Sequence, residues 1–120
     1  MATINTDIAQ KIDIIARENN SSTINLVITD SSGSPFNLTS YTVDFKIFSD
    51  NTDHIVKTNG SGITTFSGSS SLDATGRITI KLSPTDLSIL PGSYSHKLVL
   101  TKGDDVKTWM YGKFKLNNDY

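Results

Sequence analysis

Cysteine is absent from the 120 residues, which excludes a disulfide framework, a thiolate nucleophile and a Cys-ligated zinc site. Glu and Gln occur once each, at Glu18 and Gln10, and Ala is scarce, so the usual filler of exposed helices is missing. No apolar run approaches the roughly 20 residues that span a bilayer. Neither charge dominates: 11 Lys and Arg stand against 12 Asp and Glu, for a net charge of −1. That balance leaves no broad electrostatic footprint for nucleic acid or an anionic membrane. Met1 to Asp7 carry no basic stretch followed by an apolar one, so no secretory signal is read there. The expectation is one small soluble domain made in a reducing compartment, since about 100–150 residues form a single core.

What is present is hydroxyl-rich. Ser and Thr supply 31 residues and Asn another 9. Thr suits strands, whereas Ser and Asn suit turns and weaken helix interiors. Apolar residues alternate with polar ones in short runs: Ile24, Leu26, Ile28; Val43, Phe45, Ile47; Ile78, Ile80, Leu82. Each set is expected to face a core, with Asp44, Lys46, Arg77, Thr79 and Lys81 facing out. Residues 11–17, 93–100 and 106–116 read as further strands, and 53–58 and 63–66 as weaker ones. Phe36 and Leu38 are expected to pin a loop to the core. Ser83-Pro84-Thr85-Asp86 reads as one capped helical turn, with Ser83 as cap and Asp86 at the third position.

Seven to eight short strands at about 10–15-residue spacing, without a long helical pattern, predict an all-β fold, an antiparallel immunoglobulin-like β-sandwich. Tyr94 follows the compact turn Leu90-Pro91-Gly92, where such sandwiches place a corner tyrosine. The expected organisation is an N-terminal arm over 1–8, a single domain over 9–117 and a C-terminal end over 118–120. The core is predicted to contain Val43, Phe45, Ile47, Ile78, Ile80, Leu82, Leu98, Leu100 and Phe114.

Chemistry-bearing constellations are few. Nucleophilic catalysis needs Ser, His and a carboxylate together. Only His54 and His96 are available, and there is no Gly-x-Ser-x-Gly elbow. Asp104-Asp105 lies in an expected hairpin loop, where Asp serves turn geometry. Asp30 to Gly33 and Asp50 to Asp53 could contribute oxygen ligands to calcium, yet neither follows a ligand-loop spacing. Asn-x-Ser/Thr triplets such as those that begin at Asn20, Asn37 and Asn59 are what chance supplies in so hydroxyl-rich a chain. No catalytic residue, cofactor or metal site is predicted.

The last strand carries one informative pattern. Val106, Thr108, Met110, Gly112, Phe114 and Leu116 share a parity expected to pack inward. Lys107, Trp109, Tyr111, Lys113 and Lys115 occupy the other. Three arrangements fit: a contact patch of aromatics with a cationic rim, a shift of register along the strand, or a strand buried on both faces with its lysines reaching out to water.

The order Asp30-x-x-Gly33-x-Pro35-Phe36-Asn37-Leu38-Thr39-x-Tyr41-x-Val43-x-Phe45, then Gly76-Arg77-Ile78-x-Ile80-x-Leu82, Asp86, Leu90-Pro91-Gly92-x-Tyr94, the Gly103 hairpin and a closing strand with Gly112 resembles a known family. Over residues 9–117 it is similar to immunoglobulin-like domains of tailed-phage virion proteins, namely auxiliary capsid proteins and the N-terminal domain of baseplate upper proteins. The resemblance implies a non-enzymatic virion structural protein, made in the host cytoplasm. A chain ending soon after the domain suits an auxiliary or decoration capsid protein that stabilises the assembled particle. The alternatives are a tail or baseplate adaptor, or a carbohydrate- or receptor-binding module using Trp109 and Tyr111. The expected partners are neighbouring virion proteins in a multi-copy assembly, with no nucleic acid and no membrane, contacted through Trp109, Tyr111, Lys107, Lys113 and Lys115.

Overall fold

The computed structural model describes residues 3–5, 10–29 and 32–118, with side chains described from Lys11 onward. Its strands are β1 (Thr3–Asn5), β2 (Gln10–Lys11), β3 (Ile14–Arg17), β4 (Ser22–Thr29), β5 (Thr42–Ser49), β6 (Thr52–Asn59), β7 (Gly62–Thr64), β8 (Arg77–Leu82), β9 (Gly92–Lys102) and β10 (Asp105–Asn117). They form one mostly antiparallel, nearly barrel-shaped sheet in the order β1-β4-β8-β7-β6-β5-β9-β10-β2, with β3 also on β10. The all-β expectation holds. Short pieces accompany the expected strands: residues 11–17 are divided between β2 and β3, and residues 3–5 of the expected arm pair in parallel with β4. The rest of that arm, Asp30 and the last two residues lie outside the described residues.

The alternating runs become strands because one face of each can be removed from water. Val43, Phe45, Ile47, Ile78, Ile80, Leu98, Leu100 and Phe114 are 0% exposed, and Leu82 is 1% exposed. Leu38 joins them from its loop, as expected, with Phe36 packed alongside. Thr79 departs from its expected outward position: it is buried, and its hydroxyl donates to Asn25 Oδ1 on β4 at 2.8 Å. Gly76, at φ +67°, lets the chain cross β4 closely, since a Cβ there would lie 2.3 Å from the Ile28 carbonyl oxygen.

Turn chemistry fixes the corner between β8 and β9. The Asp86 N–H donates to Ser83 Oγ at 3.0 Å, and the Ser83 N–H donates to Asp86 Oδ2 at 2.8 Å. This is the reciprocal capping arrangement the sequence announces. Burial works to raise the Asp86 carboxyl, but Lys57 at 2.8 Å and the two Ser83 bonds outweigh it and hold it below the usual carboxylate range. A few residues on, the Tyr94 hydroxyl donates to the Leu90 carbonyl at 2.5 Å, the bond expected of a corner tyrosine.

The last strand corrects the sequence reading. A β-bulge lies between Thr108, paired with Val99, and Met110, paired with Leu98. Trp109 is the extra residue, and Trp109 and Met110 are both fully buried. An inserted residue reverses the alternation on one side of it. The expected inward parity therefore holds for Met110, Phe114 and Leu116 and fails before the bulge. Val106 is 63% exposed instead of buried. Trp109, expected on the outer face, belongs to the core.

A close crossing sets the break between β2 and β3. The Ile12 N–H donates to the Tyr111 carbonyl at 2.8 Å, and the Lys113 N–H donates to Asp13 Oδ1 at 3.1 Å. Between them lies Gly112, where a Cβ would sit 2.0 Å from the Ile12 carbonyl oxygen. That oxygen accepts from His96 Nε2 at 2.5 Å. A side chain at position 112 would close the gap through which the Ile12 carbonyl reaches the imidazole.

Candidate interaction face

The outward side chains of β5, β9, β10 and β2 form cross-strand rows. In one row Val56 pairs with Lys46, Lys46 with Lys97, Lys97 with Tyr111, and Tyr111 with Lys11. In the next, Phe48 pairs with Ser95 and Ser95 with Lys113. Beyond it Lys115 pairs with Ser93 and, on its other side, with Ile15. Strands lie about 4.8 Å apart, so Lys46, Lys97, Tyr111 and Lys11 span roughly 14 Å.

Three of the expected contact residues are brought together here. Tyr111, Lys113 and Lys115 are exposed on this face, Tyr111 at 44%. The other two are not. Trp109 is buried by the bulge. Lys107 precedes the bulge, pairs with Leu100, and has its ammonium 3.9 Å from Asp105 Oδ1. Lys11, Lys46, Lys97 and Phe48 are members that the sequence reading missed. Lys97 and Lys46 were accessible to it, since each alternates with core positions on a well-defined strand. Lys11 was not, because its place depends on a long-range parallel pairing.

Electrostatically the face is cationic. Lys46 lies 3.9 Å from Asp53. Lys11, Lys97, Lys113 and Lys115 form no ion pair with any described residue; Lys97 instead lies over the Phe48 ring, 5.5 Å from its centroid. An open cleft of about 350 Å³ lies among Lys11, Phe48, Lys97, Tyr111 and Lys113, with Gly112 in its lining. Two smaller clefts adjoin it, both also lined by Lys113.

The residues weighed for catalysis lie elsewhere or make structural contacts. His54 is exposed, with Nε2 2.7 Å from Ser49 Oγ and its ring edge-on to Tyr94. His96 is buried against Phe45, and burial pushes its imidazole below the ordinary histidine range despite the Ile12 carbonyl bond and nearby Asp13. Its Nδ1 and the Trp109 indole N–H are buried without a hydrogen-bond partner. Among the described residues no carboxylate hydrogen-bonds to either imidazole, and no three His, Cys, Asp or Glu side chains gather where they could hold a metal ion. None of the described residues forms a helix long and apolar enough to cross a membrane. No family model matches the chain, and no curated protein is detectably similar to it.

Proposed function

We propose that the chain is a non-enzymatic structural subunit of a bacteriophage virion, an auxiliary or decoration protein of immunoglobulin-like build. It stabilises the assembled particle by docking the β5-β9-β10 face on a neighbouring subunit. The build is supported by how the sheet is joined. Between β6 and β7 the pairing covers only Thr58↔Gly62 and Asn59↔Ile63, around one turn. Opening that joint leaves β1-β4-β8-β7 and β6-β5-β9-β10 with β2 and β3 as two layers over a common core. β2 and β3 run parallel to the last strand, β10, and Tyr94 bonds back across its corner, as in immunoglobulin-like sandwiches.

The observation that carries the docking role is that Lys11, Lys97, Lys113 and Lys115, none ion-paired with a described residue, gather around an exposed Tyr111. Aromatic residues ringed by cations suit interface anchors. Burial of such a face against a partner stabilises only the assembled state. A tail or baseplate adaptor would use the same face. A sugar-stacking platform of Trp109 and Tyr111 is disfavoured, because Trp109 fills the core. The test is mass spectrometry of purified particles with heads and tails separated. Recovery in amounts comparable to other coat or tail subunits supports the role, the fraction distinguishes decoration from adaptor, and absence from particles overturns it.

A further inference from the structure

The lysines of the docking face stand closer together than a free surface favours. Lys46 and Lys97 are direct cross-strand partners, a like-charge pairing that destabilises a sheet and that Asp53, 3.9 Å from Lys46, offsets only for that lysine. Lys97, Tyr111 and Lys11 continue the row, and Lys113 and Lys115 extend it along β10. Five of the chain's 11 Lys and Arg residues lie on this face, in a chain whose net charge is −1. The positive charge is therefore gathered here while the remaining surface is acidic on balance.

The shape of the site limits what can relieve that repulsion. The three clefts, of about 350, 250 and 190 Å³, all share Lys113, and adjoining ones share Ser95 or Ser93. They form one furrow beside β9 and β10. Tyr111, Lys113 and Lys115 present a side chain every second residue, about 6.8 Å apart. An extended polypeptide presents its own side chains with the same period. Asp50 borders the furrow in one of the smaller clefts and Asp13 in the other. Those carboxylates oppose a long polyanion laid through the furrow but leave room for a short acidic stretch. A nucleic-acid strand also wants several stacking rings, whereas among the described residues of the furrow Tyr111 is exposed, Phe48 lies under Lys97 and Tyr94 packs against His54.

We infer that the furrow receives an extended segment of a neighbouring virion protein, with Asp or Glu at alternate positions that pair with Lys97, Lys113 and Lys115 while an apolar side chain rests on Tyr111. This inference rests on the docking role proposed above and supplies the chemistry of the partner. Charge pairs of this kind set register and speed association, and their strength falls with ionic strength.

The test uses the full chain and two fluorescent peptides, one of alternating Glu and Thr and one of alternating Gln and Thr, followed by anisotropy. The Glu peptide is expected to bind, to weaken steeply as salt rises, and to lose on the order of tenfold or more in affinity with the Lys97→Glu/Lys113→Glu double variant. The Arg77→Glu/Lys81→Glu variant, with the same charge change on β8, is expected to bind as the parent does. Circular dichroism verifies that both variants are folded. Equal binding of the Gln peptide, an equal loss in the β8 variant, or tighter binding of an oligonucleotide of the same charge overturns the inference. Particle occupancy separates the two proposals. Normal decoration by the furrow variant overturns this contact and leaves the virion role standing, whereas absence of the parent protein from particles overturns the role and leaves peptide binding to judge the furrow.

Discussion

Replacing Gly112 by alanine puts a methyl carbon where the Ile12 carbonyl already lies. The new Cβ would be 2.0 Å from that oxygen and 2.8 Å from its carbon. Both are backbone atoms, so no rotamer change relieves the clash. The β2–β3 segment must move off β10, or β10 must bend. Forced overpacking costs about 1–3 kcal/mol. Moving Ile12 also parts its carbonyl from His96 Nε2, and His96 Nδ1 is already without a partner. A buried imidazole unpaired at both nitrogens adds about 1–3 kcal/mol. The expected loss is therefore roughly 2–6 kcal/mol, a large part of the 5–15 kcal/mol typical of a whole domain. Gly103→Ala is the control. Gly103 also has a left-handed backbone, at φ +58°, but a Cβ there meets nothing within 4 Å. Its cost is conformational alone, about 1–2 kcal/mol. Urea titrations followed by fluorescence of the single, buried Trp109 measure both. A Gly112→Ala loss no greater than that of Gly103→Ala refutes the crossing as a steric constraint.

Trp109→Ala is expected to cost about 3–5 kcal/mol, as for a fully buried large side chain, whereas Tyr111→Ala leaves urea stability near the parent's; the reverse ranking would return Trp109 to the surface. Tyr94→Phe removes the bond to the Leu90 carbonyl and should cost about 0.5–1.5 kcal/mol, with an unchanged midpoint ruling out a contribution from that bond. Stability should also depend on acid through His96. Burial lowers its folded pKa from the ordinary 6.5, so the unfolded chain takes up the proton first as pH falls below that value, and stability drops until the folded imidazole itself titrates. A His96→Gln variant is expected to show a flatter profile from pH 6.5 downward, and an unchanged slope would remove His96 as the cause.

The strands with unbroken alternation were legible in the sequence. Val43-x-Phe45-x-Ile47 and Ile78-x-Ile80-x-Leu82 each have one apolar face, and all six side chains are buried. The Ser83–Asp86 cap was legible too, because its bonds are local. Trp109 was not. Its parity depends on one extra residue in β10, and a bulge leaves no mark when the residues around it are acceptable on either face. The half of the face carried by Tyr111, Lys113 and Lys115 follows from parity counted back from Phe114. Lys46 and Lys97 follow in the same way from alternation with core positions, whereas Lys11 requires knowing that β2 flanks β10, and pairing across such distances is set by the whole core. Residues 11–17 show the same limit: the break at Ile12 and Asp13 answers to Gly112 and His96, not to any breaker within the segment.

The parallel pairing of β3 with β10 has a mechanical consequence. The two strands run side by side from Ile14↔Phe114 to Arg17↔Asn117. Tension that draws β3 toward the start of the chain and β10 toward its end slides them lengthwise in opposite directions. The ladder bonds then carry the load together, unlike those of a hairpin, which open in succession from one end. Resistance to such a pull is governed by the rate of unfolding and not by equilibrium stability. The seam should be stiff along the strand axis and weak to a force that lifts β3 away sideways.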